Sequence, residues 1–452
     1  MACERQIAEE IEQRRDIFFR ASRKIWELAE LRFEEHQSSR VLAEILAAEG
    51  FAVERGVAGM PTAFVASFGT GTPVIAFLGE YDALPHSSQK SETTEPEPLV
   101  EKGSGHGCGH NLLGVGALAG AVATRHFLEK NKLPGTVRYY GCPAEEGGGG
   151  KVLMVRAGCF ADVDAALTWH PSDAHYVFSA STFATQPGLF RFFGRSAHAA
   201  KSPHTGRSAL DAVELMNVGA NFLREHIPSD TRLHYAILDA GGAAANVVQA
   251  QATVRYQIRA AQSTTVQAVF ERVCDVARGA ALMTGTQVEI EKEVGYRNVV
   301  PNTTLEGLMQ RSLESLGLPQ PDEAERQFAH KIRATLTEAE KNEHRIPETR
   351  GLELADKVPP YRPHMSIHLA STDVGDVSWV VPTAQYRSAV WAIGTQPHSW
   401  QAVSQGISTF AHKGMLQAAK VLAATAAEVF LHPEHLESAK DELKQAVSQE
   451  AP

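Results

Sequence analysis

Cysteine is scarce: Cys3, Cys108, Cys142, Cys159 and Cys274 are the only five in 452 residues. The odd count and irregular spacing argue against a disulfide framework and for a reducing compartment. Long hydrophobic runs are also missing. The longest, Leu112–Thr124, is rich in glycine and alanine and too short to span a bilayer. The opening residues MACERQIAEEIEQRRDIFF are charged and lack the apolar stretch and cleavage site of a signal peptide. A cytoplasmic protein with no membrane attachment is the expectation. Positive charge is the minority sign, with a formal net charge of −10 and no basic block. Nucleic acid is therefore not expected as a partner, and an anionic substrate would need local Arg, Lys or metal. No internal repeat is visible.

Hydrophobic residues make up 43% of the chain, enough for a full core, and the length suggests more than one domain. Residues 5–50 read as two helices, from Ile7, Ile11, Phe18 and Ile25 and then Val41, Leu42, Ile45 and Leu46. Strands are expected at Thr62–Phe68, Pro73–Leu78, Thr136–Gly141 and Ala165–Trp169. Helices are expected over Asn111–Lys130 and from Lys151, with a polar loop over 86–107. Alternating strands and helices indicate an α/β core with a mixed, largely parallel sheet. The texture changes near residue 184. Leu189–Gly194 and Arg232–Leu238 look like strands, and Arg207–His226 and Thr265–Met283 like helices. Val247–Ala260 alternates apolar and polar residues throughout, and Gln287–Val294 closes the set. This predicts an open-faced α+β sandwich over 184–295, inserted into the core. The core resumes near Pro301, with a polar excursion over 334–362 and a last helix near Lys413–Leu431.

Chemistry concentrates in a few short stretches. GSGHGCGHNLLG (103–114) spaces His106, Cys108 and His110 two apart, with glycines between, where a loop meets a helix. This is either a glycine-rich turn with a buried cysteine or a site that needs close backbone approach. CPAEEGG (142–148) places Glu145 and Glu146 after an apolar strand. Such a pair is either a solvated helix start or a metal ligand beside a proton shuttle. TWHP (168–171) and GTQPHSW (394–400) add His170 and His398. Alone, each histidine reads as structural. Together, Cys108, His110, Glu145 or Glu146, His170 and His398 all fall at strand-to-loop junctions of one core. Thiolate, imidazole and carboxylate suit zinc or a similar divalent ion, and five donors exceed one tetrahedral site. Asp82 in GEYDALP (79–85) is a turn aspartate or a carboxylate that orients a ligand or the base. The loop Ser371, Thr372, Asp373 is a capped turn or part of a substrate pocket.

GHGCGHN, CPAEEGG, TWHP, RSAHAAKSPHTGRSALDA, NVVQAQATVRYQIRA, STDVGDVSW and GTQPHSWQ together resemble the dimetal aminoacylase/carboxypeptidase amidohydrolases. The resemblance runs from RFEE (32–35) to AHKGML (411–416). It breaks down over roughly residues 86–102 and 318–362, and 172–186 also differs. It implies a catalytic domain in two segments, 1–183 and 296–452, around a ferredoxin-like lid and dimerisation domain at 184–295. Glu145 then matches the general base, and Glu146, His170 and His398 match metal ligands. Cys108 and His110 match the Cys-Gly-His ligands of a branch that uses cysteine where others use a bridging aspartate. Asp82 matches the supporting carboxylate. His198 matches a histidine that reaches the partner subunit's active site, and Asn246 and Arg259 match contacts to the substrate carboxylate. Glu80 departs from the pattern, since other branches place a histidine ligand there.

The implied cofactor is two divalent ions per subunit, zinc or manganese, with thiolate favouring zinc. The implied activity is hydrolysis of an amide between an acyl or aroyl group and an amino acid, with glutamate or aspartate expected. Aminobenzoyl-glutamate, an indoleacetyl-aspartate-like conjugate and a dipeptide all remain open as substrates. A homodimer is expected, and a heterodimer with a related subunit is open. Asn246 and Arg259 stand 13 positions apart on one alternating run, roughly 43 Å if it is a straight strand. Two copies of the chain would then serve one substrate. Two other classes stay in play: a hydrolase with Cys108 as nucleophile, and a non-catalytic partner subunit.

Overall fold

The protein is described by a computed structural model, over residues 2–343 and 346–450. In chain order the strands are β1 (Ala52–Arg55), β2 (Phe64–Thr70), β3 (Val74–Glu80), β4 (Gly135–Cys142), β5 (Ala165–Ser172) and β6 (Tyr176–Phe178). They continue as β7 (Ala184–Phe193), β8 (Arg232–Asp239), β9 (Gln251–Ala260), β10 (Gln287–Lys292) and β11 (Thr383–Ala389). The chain divides into two compact units. One is built from the chain up to Ala180 with Val300–Ser366 and Asp376–Gln449, the other around Ser181–Val299 and Ile367–Gly375.

In the first unit, β3 is buried at every position, so its side chains must find apolar cover on both faces. Ile75 and Phe77 pack into one cluster together with Val137, Tyr139, Leu167 and Trp169 from neighbouring strands. Val74, Ala76 and Leu78 pack into another with Tyr140, Ala166, Met154 and Phe160. The result is a seven-stranded sheet, ordered β1-β2-β4-β3-β5-β11-β6, covered on both sides. The central pairs β4–β3, β3–β5 and β5–β11 are parallel, and β1–β2, β2–β4 and β11–β6 are antiparallel. The mixed, largely parallel α/β architecture is as expected.

The helix His110–Asn131 is buried on almost every side over its first four turns, which is why it shows no amphipathic stripe. Its small residues let it lie against the sheet. A side chain at Gly114 would meet the Glu80 carbonyl oxygen of β3 at 2.6 Å, and one at Gly116 would meet the Trp169 ring at 2.7 Å. The Trp169 indole donates to the Leu113 carbonyl at 3.0 Å. The helix Thr409–Leu431 is long and apolar enough to cross a membrane by length and composition, but it is buried in this same core.

In the second unit, β10-β7-β9-β8 form a four-stranded antiparallel sheet. Ala252, Val254, Tyr256, Ile258 and Ala260 of β9 face a core shared with the helices Ala209–Leu223 and Ser263–Thr284. The open-faced α+β sandwich is as expected.

Several local expectations fail. The first fifty residues form three helices, Ala2–Gln13, Arg15–Leu28 and His36–Ala48. Arg14 leaves helical geometry at φ −107° and ψ 2°, and the left-handed Ala29 ends the second helix. β9 begins at Gln251, so Asn246 lies outside it and the run from Val247 is not one strand. The excursion over 334–362, of which 344–345 lie outside the described residues, holds a helix at Glu338–Asn342 and a turn at Pro347–Thr349. Leu336, Ile346, Leu354 and Ala355 anchor it by burial. A further helix, Glu434–Glu450, buries Leu436, Ala439 and Leu443. Its Glu442 carboxylate accepts hydrogen bonds from the N–H and hydroxyl groups of Thr303 and Thr304.

The packing at Gly114 sets a test. Alanine is the better helix former by about 1 kcal/mol. Even so, Gly114→Ala is expected to lower stability by about 1–3 kcal/mol, because it overpacks against the β3 backbone. Urea unfolding reads this directly, and an unchanged or raised midpoint would refute the packing account.

Candidate metal centre

The parallel strands β3, β4 and β5 end on the same side of the sheet, where open α/β sheets bind ligands. β3 delivers Glu80 and then Asp82, β4 runs into the turn carrying Glu145 and Glu146, and β5 carries His170 near its end. His398 follows β11 in a loop and takes a left-handed φ of 64°. The loop 105–109 fits among these segments because it lacks side chains where they come closest. A Cβ at Gly107 would lie 3.1 Å from the His398 Cα, and one at Gly109 would lie 2.9 Å from Pro171, next to His170. The His398 N–H donates to the Gly107 carbonyl at 2.8 Å.

Three overlapping groups of donors converge: Cys108 with His110 and His170; Cys108 with Glu146 and His398; Glu80 with His110 and Glu145. Within each group the ligating atoms lie within 4.8 Å of one another. The histidines are pre-set. His110 Nδ1 donates to Asp82 Oδ1 at 2.9 Å, which leaves its Nε2 to face Glu80 Oε2 at 3.3 Å. His170 Nδ1 donates to the Pro171 carbonyl at 2.8 Å and turns Nε2 to Cys108 Sγ at 3.4 Å. Fixing one ring nitrogen this way orients the other for a ligand. The second oxygen of Asp82 accepts the Glu146 N–H at 2.9 Å, so one buried carboxylate holds two donor segments.

These residues fit divalent ions. Glu80 Oε2 and His110 Nε2 face each other at 3.3 Å and Glu146 Oε1 faces His398 Nε2 at 3.4 Å, yet these three buried atoms make no well-formed hydrogen bond, a costly state for protein atoms alone. Proton affinities point the same way. The Cys108 and Glu146 side chains that face it push His398 up to about 10. Burial opposes charge at His110, but Cys108 and Asp82 outweigh it and hold its pKa well above the ordinary value. A site that draws protons this strongly onto imidazole is one in which cations offset surplus negative charge.

Three participants were not assigned a role from sequence. Glu80 Oε1 is paired with Lys151 Nζ at 2.5 Å, and both side chains are buried. Only the position of Glu80, at the end of β3, and of Lys151, just after the glycine run, could have hinted at this pair. Glu35 is fully buried and accepts the Ala144 N–H at 2.9 Å. Ala144 has a left-handed φ of 59°, a strained conformation for a residue with a Cβ, and this bond holds the turn that presents Glu145 and Glu146. Burial, and then the charge on Asp82, push the Glu35 carboxyl up to about 7. His106, in contrast, is not among the donors. It is buried against the Ile25 carbonyl at 3.0 Å, and burial lowers its pKa to about 4.

His198, Asn246, Arg259 and Thr372 belong to the second unit. His198 is exposed, and its Nδ1 accepts the N–H groups of Ala200 and Lys201, both at 3.2 Å, which leaves the proton on Nε2. Asn246 is its neighbour: its carbonyl accepts the Ala199 N–H at 3.0 Å, and Val247 bridges His198. This pair lies beyond the end of the sheet where Gln251 meets Phe193. Arg259 sits toward the other end, opposite Thr185 and Arg232. Arg259 is half-buried, donates to Ser371 Oγ at 3.2 Å and, among the described residues, forms no ion pair. Thr372 Oγ1 accepts the Val374 N–H at 3.3 Å, as a capped turn would.

Ligation of an ion by Cys108 would be directly testable. A metal-bound thiolate resists alkylation. Iodoacetamide, followed by peptide mapping to separate Cys108 from the other cysteines, is expected to modify it at least tenfold faster after chelation than in the metal-loaded protein. Equal rates would remove Cys108 from the ligand set.

The sequence pattern of peptidase family M20/M25/M40 matches residues 76–342, which include all of these donors except His398. The chain is 48% identical to one of the p-aminobenzoyl-glutamate hydrolase subunits of Escherichia coli, over 98% of this chain and 95% of that one. It is 30% identical to Xaa-Arg dipeptidase of Mus musculus, over 99% and 93% respectively. Its fold is similar to that of a Bacillus subtilis protein described as a dinuclear metal binding peptidase from M20 family. That match has a TM-score of 0.54 and 18% identity, and covers 92% of this chain and 99% of the other. A family pattern across more than half the chain and a relative alike over nearly all of it agree with the donor cluster at the strand ends: the chain belongs to peptidase family M20/M25/M40.

Proposed function

We propose that the chain hydrolyses the amide bond of p-aminobenzoyl-glutamate or a similar N-acyl or N-aroyl conjugate of glutamate or aspartate. The single observation that carries this reading is the convergence of Cys108, His110, Glu146 and the histidines on one another, with Glu145 beside them, in a chain 48% identical to a p-aminobenzoyl-glutamate hydrolase chain. Cys108, His110, Glu146, His170 and His398 would hold two divalent ions, zinc in preference to manganese because of the thiolate. When bound, these ions polarise a carbonyl and make water more acidic.

The chain's own groups do the rest. The Glu145 carboxylate takes a proton from the attacking water and returns it to the departing amine. Asp82 keeps the His110 proton on Nδ1 and the Glu146 backbone in place. His198, with its proton on Nε2, donates to the carbonyl oxygen as negative charge builds there. Arg259 holds the free carboxylate of the amino acid. Its cost of burial without an ion pair supports that role, since burial alone lowers its pKa.

The active unit in this reading is a homodimer. On the second unit, Val218 and Phe222 share one exposed helix face, and Tyr235, Ile237 and Leu238 are exposed on the outer strand β8. Apolar residues on a free sheet edge are a natural contact for a second copy. His198 with Asn246, and Arg259, lie toward opposite ends of one sheet, about 26 Å apart along β9 between Gln251 and Arg259. That supports supply of the two ends to one substrate by two copies.

Two outcomes follow. Glu145→Gln is expected to keep its metal content while kcat falls by about 10²–10⁴. Metal analysis and turnover on a panel of N-acyl and N-aroyl amino acids check this. Near-normal turnover would take Glu145 out of the role, and failure of the metal-loaded chain on every member of the panel would favour a non-catalytic role. Arg259→Ala is expected to raise KM for free-acid substrates by about tenfold or more and to leave their C-terminal amides nearly unchanged. Equal losses on both would return Arg259 to a structural part.

A further inference from the structure

A conjugate of glutamate or aspartate carries two carboxylates, the free one of the amino acid and that of its side chain. Arg259 answers one of them. The face of the second unit's sheet turned away from its helices holds a further positive charge beside it. Ala252, Val254, Tyr256, Ile258 and Ala260 of β9 fill the helix-side core, so alternation puts Thr253, Arg255, Gln257 and Arg259 on the other face. In β8, Leu233 lies in that same core, so Arg232 and His234 share the outer face with Arg259. The register sets Arg232 directly opposite Arg259, and His234 opposite Gln257.

Facing residues of an antiparallel pair have Cβ atoms only about 4.5–5.5 Å apart, and like charges placed there destabilise it. Elsewhere on this face the fold gives each arginine a carboxylate. Arg191 pairs with Glu291 at 2.6 Å, and Arg255 with Glu293 at 2.8 Å. Arg232 and Arg259 meet neutral oxygens only. Arg232 Nη1 donates to the Ser229 and Thr231 carbonyls at 2.9 and 3.1 Å, and Arg259 Nη1 donates to Ser371 Oγ at 3.2 Å. Among the described residues, neither forms an ion pair. Arg232 is exposed and Arg259 half-buried, so a molecule on this face can reach both. His234 registers the same convergence of charge. Burial, and then the charges of Arg259, Arg224 and Arg232, hold its imidazole below the ordinary range. The neutral ring still has one N–H to donate.

We infer that Arg232 determines specificity: it takes the side-chain carboxylate of an acidic amino acid whose free carboxylate is held by Arg259, with His234 as a neighbouring donor. This rests on the role proposed for Arg259. A substrate with one carboxylate leaves half of the facing pair uncompensated, whereas a dicarboxylate neutralises both arginines. The two carboxylates of glutamate, joined through its Cα and its methylenes, can face two guanidinium groups that start from adjacent strands.

The test compares p-aminobenzoyl-glutamate with p-aminobenzoyl-glutamine, which matches it in size and lacks only the side-chain charge. The metal-loaded chain is expected to favour the glutamate conjugate by about tenfold or more in kcat/KM. Arg232→Gln is expected to shrink that preference to about threefold or less, through a higher KM for the glutamate conjugate, and Arg232→Lys to keep part of it. Arg259→Ala is expected to weaken both conjugates. A purely structural part for Arg232 would lower both together and leave their ratio unmoved. Calorimetric titration of the metal-loaded Glu145→Gln chain, with and without Arg232→Gln, reads the same ratio without turnover, and thermal unfolding confirms that each variant is folded. If the binding preference disappears with Arg232→Gln while the parent chain hydrolyses neither conjugate, the role of Arg232 stands and the hydrolytic reading falls. If both conjugates are hydrolysed and Arg232→Gln leaves their ratio unchanged, the role of Arg232 is overturned and the hydrolytic reading stands. Equal affinity for the two conjugates, or binding of neither, also overturns it.

Discussion

Close backbone approach is the constraint on which the rest of the first unit rests. The segment from Gly107 to Gly114 passes within side-chain distance of three others: the loop at His398, the end of β5 at Pro171 and the β3 backbone at Glu80. Each of those carries a donor or adjoins one. If any of the three approaches were held off by a methyl group, the sulfur of Cys108 and the ring of His110 would be pushed away from the residues around them. The glycines and the histidines are thus two halves of one requirement.

Holding the cluster together has a cost that the fold meets with buried charge. Asp82, Glu80, Lys151 and Glu35 are all 2% exposed or less. Taken singly, each is unfavourable in a core. Together they form a linked support: Lys151 pairs with Glu80, Asp82 ties His110 to Glu146, and Glu35 holds the strained Ala144. A left-handed alanine and several orphaned polar atoms gather at this one end of the sheet. Concentrated strain of this kind is usual where geometry serves a ligand.

Much of this was legible in the sequence. Short apolar runs ending in chemistry-bearing residues located β3, β4 and β5, and the clean alternation before Ala260 located β9. What stayed hidden was tertiary. Lys151 looks like an ordinary solvated lysine at a helix start until the buried carboxylate of Glu80 is placed against it. Glu35 looks like one acid of a surface pair until Ala144 turns its N–H inward. The alternation that suggested a strand from Val247 was real, but Val247 and Val248 pair with the segment at His198 and not with the sheet. Period alone does not say which partner takes up a backbone. The polar stretch over 334–362 hid its few anchors, Ile346 and Leu354 among them, because burial there is sparse and without period.

Cys108 belongs to two of the three donor groups, and it is the single sulfur among them. A carboxylate at that point would be chemically inert to peroxide. A thiolate is not: its first oxidation to a sulfenic acid is reversible, and further steps to sulfinic and sulfonic acids are not repaired in most proteins. Because the same atom serves both groups, one oxidation event would strip a donor from each. In the proposed metal-loaded state, oxidation of Cys108 would therefore weaken both groups together, and a bound ion would shield the sulfur.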